Sequence, residues 1–203
     1  MIIEKSFLQG SPEWYEARID SVGGTGLSAI ITNAKAEASK SRAGYLLEKA
    51  GDIISRDPAP NFQTWQMKWG LKYESQARET FEFIQGVEVD TCAMIFYDEN
   101  KNWHISPDLF NADLKFGGEI KCCQLKEFKN TVDGKKLPTK HTLQCQAGLA
   151  LTGWDRWFFM SYFPGLKPFI TPVERDENLI KIIKVEIRMF LEDLNAFIEK
   201  LRA

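Results

Sequence analysis

Two short apolar runs, "GGEIKCC" (Gly117–Cys123) and "WDRWFFMSYF" (Trp154–Phe163), flank the helical pattern "KHTLQCQAGLALTG" (Lys140–Gly153). Two strands separated by a helix cannot close as a tight hairpin, so they are expected to lie parallel with a right-handed crossover. The second run is apolar at nearly every position, as in a strand buried on both faces. Upstream, "VEVDTCAMIFYD" and "NWHISPDLF" are rich in β-branched and aromatic residues and are divided by polar turns. They are expected to join "GGEIKCC" as neighbouring antiparallel strands. The expected class is α/β, a small mixed β-sheet flanked by helices.

Helix signals frame that sheet. In "GSPEWYEAR", Ser11 suits the N-cap, Pro12 the first helical position and Glu13 the first turn. The glycines of "VGGTGLSAIIT" break that helix, and a second is expected to start near Thr25. "SRAGYLLEKAG" and "WQMKWGLKYESQARETFEFIQG" carry apolar residues at three and four spacing, with Gly86 as a stop. The tail places Leu179, Ile182, Ile183, Ile187, Phe190, Leu191, Leu194, Phe197 and Ile198 on one stripe, which predicts a helix laid on the core.

The 203 residues and 44% hydrophobic content suit one domain spanning 1–203. Ser55–Gln63, "SRDPAPNFQ", reads as an exposed internal loop because its prolines cannot continue a helix. No stretch approaches the ~20 apolar residues of a membrane span or the core of a signal peptide, so a cytoplasmic protein without membrane contact is expected. Cys92, Cys122, Cys123 and Cys145 fit neither metal spacing nor a disulfide framework and are expected to be buried free thiols. A net charge of −2 excludes a chain that coats nucleic acid by charge alone. From Lys121 to His141, however, Lys121, Lys126, Lys129, Lys135, Lys136 and Lys140 face only Glu127 and Asp133. Such a run is either a solvated loop or a local polyanion contact.

The chemistry concentrates in "HISPDLFNADLKFGGEIKCC". Side chains alternate along a strand, so Glu119 and Lys121 share a face while Ile120 points into the core. Proline stops the preceding ladder at Pro107 and leaves Asp108 at an opening. If the strands pair, Asp108 and Glu119 converge with Lys121 beside them. Two adjacent carboxylates repel and normally recruit a cation. With no histidine or thiolate in the set, oxygen ligation suits Mg²⁺ or Mn²⁺ over zinc, and the Ile120 carbonyl adds an oxygen. Lys121 then either orients or deprotonates a water nucleophile, or neutralises developing charge. The competing reading is an Asp in a turn beside a surface Glu/Lys pair.

This pattern resembles the PD-(D/E)xK nuclease superfamily. "GSPEWYEARIDSVGGTGLSAII", "WGLKYESQARETFEF", "SPDLF", "GGEIKC" and "LQCQAGLALTGWDRWFFMSYFP" follow in order the blocks of the lambda-type alkaline exonucleases, or YqaJ-like viral recombinases. The resemblance covers roughly Gly10 to Pro164. It implies a 5′-to-3′ exonuclease that digests one strand of linear duplex DNA, leaving 3′ overhangs for phage-type recombination. It further implies two Mg²⁺ ions (Mn²⁺ as substitute), a homotrimeric ring on DNA and a single-strand annealing partner. Asp108, Glu119 and Lys121 would be catalytic, with Glu74 holding metal indirectly. Arg18, Thr25, Ser106 and Gln144 would bind the 5′-phosphate, and Met67 would act as a wedge at the DNA end.

Each of these has a plainer alternative. Arg18 can pair with Asp20 or Glu16, Thr25 can cap its helix, Gln144 and Glu74 can be solvated, and Met67 can be core. Gln146 and His141 stay open. Thr25 stands where the family usually has serine, Leu109 where glycine is common, and Cys122-Cys123 where Cys-Pro is frequent. A structure-specific or restriction-type endonuclease on the same core, and a catalytically silent DNA-binding subunit, are the competing functions.

Overall fold

A computed structural model describes residues 1–33, 35–57 and 64–203. Strand β1 (Ile2–Glu4) is followed by α1 (Pro12–Ile19), whose start is as expected: Ser11 caps the Trp14 amide, with Pro12 at the first position. Next come β2 (Val22–Gly23), a 3₁₀ turn at Gly24–Gly26 and a single helical turn, α2 (Leu27–Ile30). Helices α3 (Arg42–Ser55) and α4 (Trp65–Gln85) complete the front half. Gly86 ends α4 with φ +65°, the left-handed position that a glycine stop supplies. The loop expected at Ser55–Gln63 falls largely on residues 58–63, outside the described residues.

The strands form two four-stranded sheets where one was expected. One has the order β1-β3-β4-β2, with β3 at Met94–Phe96 and β4 at Trp103–Ile105. The other has the order β5-β6-β7-β8, with β5 at Leu109–Asn111, β6 at Phe116–Cys122, β7 at Arg156–Tyr162 and β8 at Phe169–Pro172. "NWHISPDLF" is therefore two strands, and β4 never pairs with β6. The physical reason sits at Pro107, which has no N–H to donate and ends the ladder, so the chain crosses between sheets there. Asp108 thus opens β5 instead of closing β4, and β5 pairs antiparallel with β6, Leu109 opposite Gly118.

β6 and β7 run parallel, as the strand–helix–strand pattern requires. Two helices occupy the crossover: α5 (Leu125–Gly134) and α6 (Thr142–Thr152). The first was not anticipated. Of the basic run, Lys126 and Lys129 lie on this helix, whose Phe128 and Thr131 are buried, and Lys129 and Lys140 are paired with Asp133 and Glu127. Helix α6 is buried all round from Cys145 to Thr152, wedged between the second sheet and α7 (Glu177–Arg202). On α7 the buried stripe is Ile180, Ile183, Ile187, Phe190, Leu194 and Ile198. Ile182, placed on that stripe by the sequence, is 38% exposed because it sits about 100° round the helix from Ile183.

The second sheet is therefore covered on both faces. Ala77 and Phe81 of α4 pack against Phe116, Ile120 and Met160 on one side. On the other, Trp157 fills the gap between β6 and α6, where Gly117 and Gly148 come so close that an added Cβ would lie 2.3 Å from the indole at either position. All four cysteines are free, and Cys92, Cys123 and Cys145 are buried. Among the described residues no helix is long and apolar enough to cross a membrane.

Candidate active site

Asp108 is fixed by three main-chain links. Its N–H donates to the Gly118 carbonyl at 3.1 Å, its own carbonyl accepts from Arg78 Nε at 3.1 Å, and its Oδ2 accepts from the Ile120 N–H at 2.7 Å. The side chain thus takes the place of the next ladder partner on β6. A residue's N–H and C=O point to the same side of a strand, so the Ile120 carbonyl faces the same opening.

Glu119 and Lys121, on the face away from Ile120, form an ion pair in which Glu119 is 5% exposed and Lys121 29%. Burial, and then the neighbouring Asp108 charge, push the Glu119 carboxyl well above the usual carboxylate range. Burial likewise raises Asp108, against the opposing pull of Lys121. Burial alone would lower the Lys121 ammonium, but Glu119 and Asp108 outweigh it and raise it above its ordinary value. The plainer reading of a surface Glu/Lys pair is thereby excluded.

A cavity of about 400 Å³ gathers most of the nominated residues: Asp108, Glu119 and Lys121 on one wall, with Arg18, Thr25, Ser106, Gln144 and Met67 around them. Arg18 lies over the Trp14 ring at 4.2 Å, and its suggested partner Asp20 pairs instead with Arg56 at 2.5 Å. Burial lowers the guanidinium, with only tyrosines opposing. Thr25 sits inside the 3₁₀ turn, exposed, and is not a helix cap. Ser106 Oγ accepts from the Trp14 indole at 3.0 Å. Gln144 lies against Glu119 and favours its ionised form. Met67, 49% exposed, is not a core methionine.

Glu74 does not line this cavity. It belongs to a neighbouring one of about 280 Å³ on the other side of Asp108, where Arg78 holds its carboxylate at 2.9 Å. Burial and then the Asp108 charge raise it, so its field reaches the centre although its side chain does not. Gln146 spends its amide on backbone, donating to Glu174 O at 2.7 Å and accepting from Asp176 N at 3.0 Å. His141 stacks on Phe159 at 5.2 Å and is held neutral, its pKa pushed down to about 3 by burial and then by Lys121 and Lys140.

Several contributors carried no sequence signal. Lys49 of α3 is buried and donates to the Arg18 and Ile19 carbonyls at 2.8 and 2.7 Å, tying down the end of α1 that presents Arg18. Gln9 holds the Pro107 carbonyl at 3.1 Å. His104, 1% exposed, meets Ser21 through Nδ1 at 2.7 Å and walls the cavity. Only the i, i+4 spacings of Trp14 with Arg18 and Glu74 with Arg78 offered a hint of local pairing.

The donor set suits a hard divalent ion. Two buried carboxylates lie side by side, Glu119 raised by the Asp108 charge as well as by burial, a main-chain carbonyl faces the same opening, and none of these donors is histidine or thiolate. Among the described residues no three acidic, histidine or cysteine side chains form a complete cage. An ion held here would keep waters and take oxygens from a substrate phosphate.

The model of the YqaJ-like viral recombinase domain matches residues 13–155. The chain is similar to the alkaline exonuclease LHK-Exo from Laribacter hongkongensis, solved by itself and in complex with dAMP. In each case the TM-score is 0.84 at 28% identity, covering 95% of this chain and 96% of that one. A phage-related exonuclease from Haemophilus somnus 129PT shares the fold at TM-score 0.71 and 14% identity, over 89% of this chain and 96% of that one. No curated protein matches the chain. With its Asp108, Glu119 and Lys121 on a PD-(D/E)xK core, the chain belongs to the YqaJ-like viral recombinase family, the lambda-type alkaline exonucleases, and is a deoxyribonuclease.

Proposed function

We propose that residues 1–203 act as one nuclease unit, a Mg²⁺-dependent 5′-to-3′ exonuclease that digests one strand of linear duplex DNA and leaves 3′ overhangs. The observation that carries this reading is the single cavity in which buried carboxylates stand opposite Arg18, a guanidinium with no acidic partner among the described residues. Asp108, Glu119 and the Ile120 carbonyl would hold two Mg²⁺ ions, or Mn²⁺ in their place, with Glu74 acting through water. Bound there, the metal supplies a more acidic water and charge to offset the phosphate.

The chain's own groups do the rest. Lys121, raised by Glu119 and Asp108 in the metal-free protein, would orient or deprotonate the attacking water or offset the charge that develops on the phosphodiester. Arg18 grips the terminal 5′-phosphate with its planar fork, and the Thr25 and Ser106 hydroxyls and the Gln144 amide complete the cradle. Met67 lines the same cavity as an exposed apolar wedge at the DNA end. The family resemblance supports a homotrimeric ring on the duplex and delivery of the overhang to a single-strand annealing protein.

The test uses linear duplex with a 5′-phosphate or a 5′-hydroxyl, and closed circular duplex, each with Mg²⁺ or EDTA. Rapid Mg²⁺-dependent release of nucleotides from phosphorylated ends is expected, with circles left intact. Arg18→Ala should lower the preference for phosphorylated ends by about 10- to 100-fold, the worth of a charge-assisted hydrogen bond. Equal wild-type rates on both ends would remove the phosphate role, and nicked circles would make the enzyme an endonuclease.

A further inference from the structure

A second cavity, of about 410 Å³, lies across β6 from the active centre. Lys121 and Cys122 point to opposite faces of the strand. Lys121 lines the catalytic cavity, whereas Cys122 and Cys123 line the second. The start of α4 divides the two spaces in the same way, with Met67 on the catalytic side and Gln66 and Trp69 on the other.

The second cavity has the chemistry of a nucleotide site. Trp69, Gln66, Asn130, Lys126 and Lys140 line it. Glu127 also lines it, but its carboxylate is engaged by Lys140, and Lys126 has no acidic partner among the described residues. Trp65, outside the lining but 56% exposed, stacks on Trp69, with centroids 5.1 Å apart and planes at 24°. Tyr73 continues the ladder at 4.6 Å from Trp69. An indole open to water at the head of an aromatic ladder offers a flat face on which a base can stack. Amide groups and a free ammonium beside it match bases and phosphates, whereas a protein partner would be expected to meet a drier, more continuous apolar patch.

We propose that the first turns of α4 part the two strands of the DNA end, and that unpaired bases of the 3′-ended strand stack on Trp65 and Trp69 while its phosphates meet Lys126. This rests on the exonuclease reading above, and it adds a binding site for the strand that is not cut. The complement is thereby kept from re-pairing over the catalytic cavity.

Binding is measured by fluorescence anisotropy with the full chain in EDTA, which prevents digestion. The probes are a blunt duplex and a duplex with a single-stranded 3′ overhang carrying 2-aminopurine next to the junction. Wild type is expected to favour the overhang and to quench the 2-aminopurine. Trp65→Ala should weaken overhang binding by about tenfold and relieve the quenching, while Trp65→Phe should retain most of both. Lys126→Gln should lower the salt slope by about one phosphate contact. Trp65 is exposed, so its replacement leaves the core intact. Unchanged affinity and quenching in Trp65→Ala, or a wild type indifferent to the overhang, overturns the stacking site. Failure of wild type to digest linear duplex with Mg²⁺ would instead overturn the nuclease reading on which it rests.

Discussion

The two walls of the catalytic cavity are electrostatic opposites. On the β5–β6 hairpin, Asp108 and Glu119 are raised by burial, Glu119 also by the Asp108 charge, with Lys121 set against both and Arg78 against Asp108. On the wall built from α1, the 3₁₀ turn and β4, Arg18 is lowered by burial and His104 is held neutral. Each wall pays for a charge pattern that its own side chains do not balance, and a metal on one side and a phosphate on the other would relieve both. A ligand carrying both signs of charge, such as a DNA phosphate with its cations, would suit such a site.

Removing the negative charge from the acidic wall should have the largest effect. Asp108→Asn and Glu119→Gln keep size and most hydrogen bonds but abolish the donors for a divalent ion. Activity should fall by roughly 10³-fold or more, since metal assistance is worth several kcal/mol. Thermal stability of the metal-free protein should hold or rise in Asp108→Asn, which removes the charge that pushes Glu119 up, whereas Glu119→Gln also takes away the partner of Lys121 and should lower it. Initial rates on linear duplex and metal-free melting curves test both. A stability loss equal to the loss of function would mean the carboxylates are structural.

Lys121→Met sharpens the contrast from the other direction. It leaves Glu119 buried without its cation, a loss of about 3 kcal/mol when one partner of a buried pair is removed. Combining it with Glu119→Gln should recover most of that stability and none of the activity. A double-mutant cycle in urea measures the coupling. Additive effects would show that the pair does not matter to the fold.

The acidic wall was legible because it lies on one hairpin: Asp108, Glu119 and Lys121 fall within a short stretch whose alternation assigns faces directly. The donor wall was not, because Arg18, Thr25, Ser106 and Gln144 come from four segments and only the family resemblance named them together. The helices were legible from their caps and stops, Ser11 and Gly86 above all. β1, β2 and β8 run two to four residues, too short for periodicity, and their pairing is decided by tertiary contacts. The split at Pro107 was visible as a stop, but not as a change of sheet. Helix α5 buries only Phe128 and Thr131, three residues apart and set mostly among charged and polar residues, too little apolar repeat to show a helical period. Lys49 and Gln9 act over long sequence separations and left no local trace.

The smallest effect separates the walls by pH. Burial, then Arg18 and Lys49, push the His104 pKa down to about 3, well below the usual histidine range, so the folded protein keeps it neutral. Between that value and the ordinary pKa the unfolded chain binds the extra proton, so this histidine's contribution is full above about pH 6.5 and is lost as pH falls. Linkage gives a loss of about 2 kcal/mol between pH 7 and pH 5. The raised carboxylates of the other wall act with the opposite sign: the folded state holds their protons longer, so their stabilising contribution is present at low pH and is lost as pH rises. The two slopes oppose one another in wild type, and the informative quantity is the difference between wild type and His104→Asn, whose amide keeps a partner for Ser21. Urea unfolding of metal-free protein at pH 5, 6 and 7 should show the variant gaining on wild type as the pH drops. A constant gap would mean that His104 takes up its proton in the folded state as readily as in the unfolded chain, and the donor wall would then lose its neutral member.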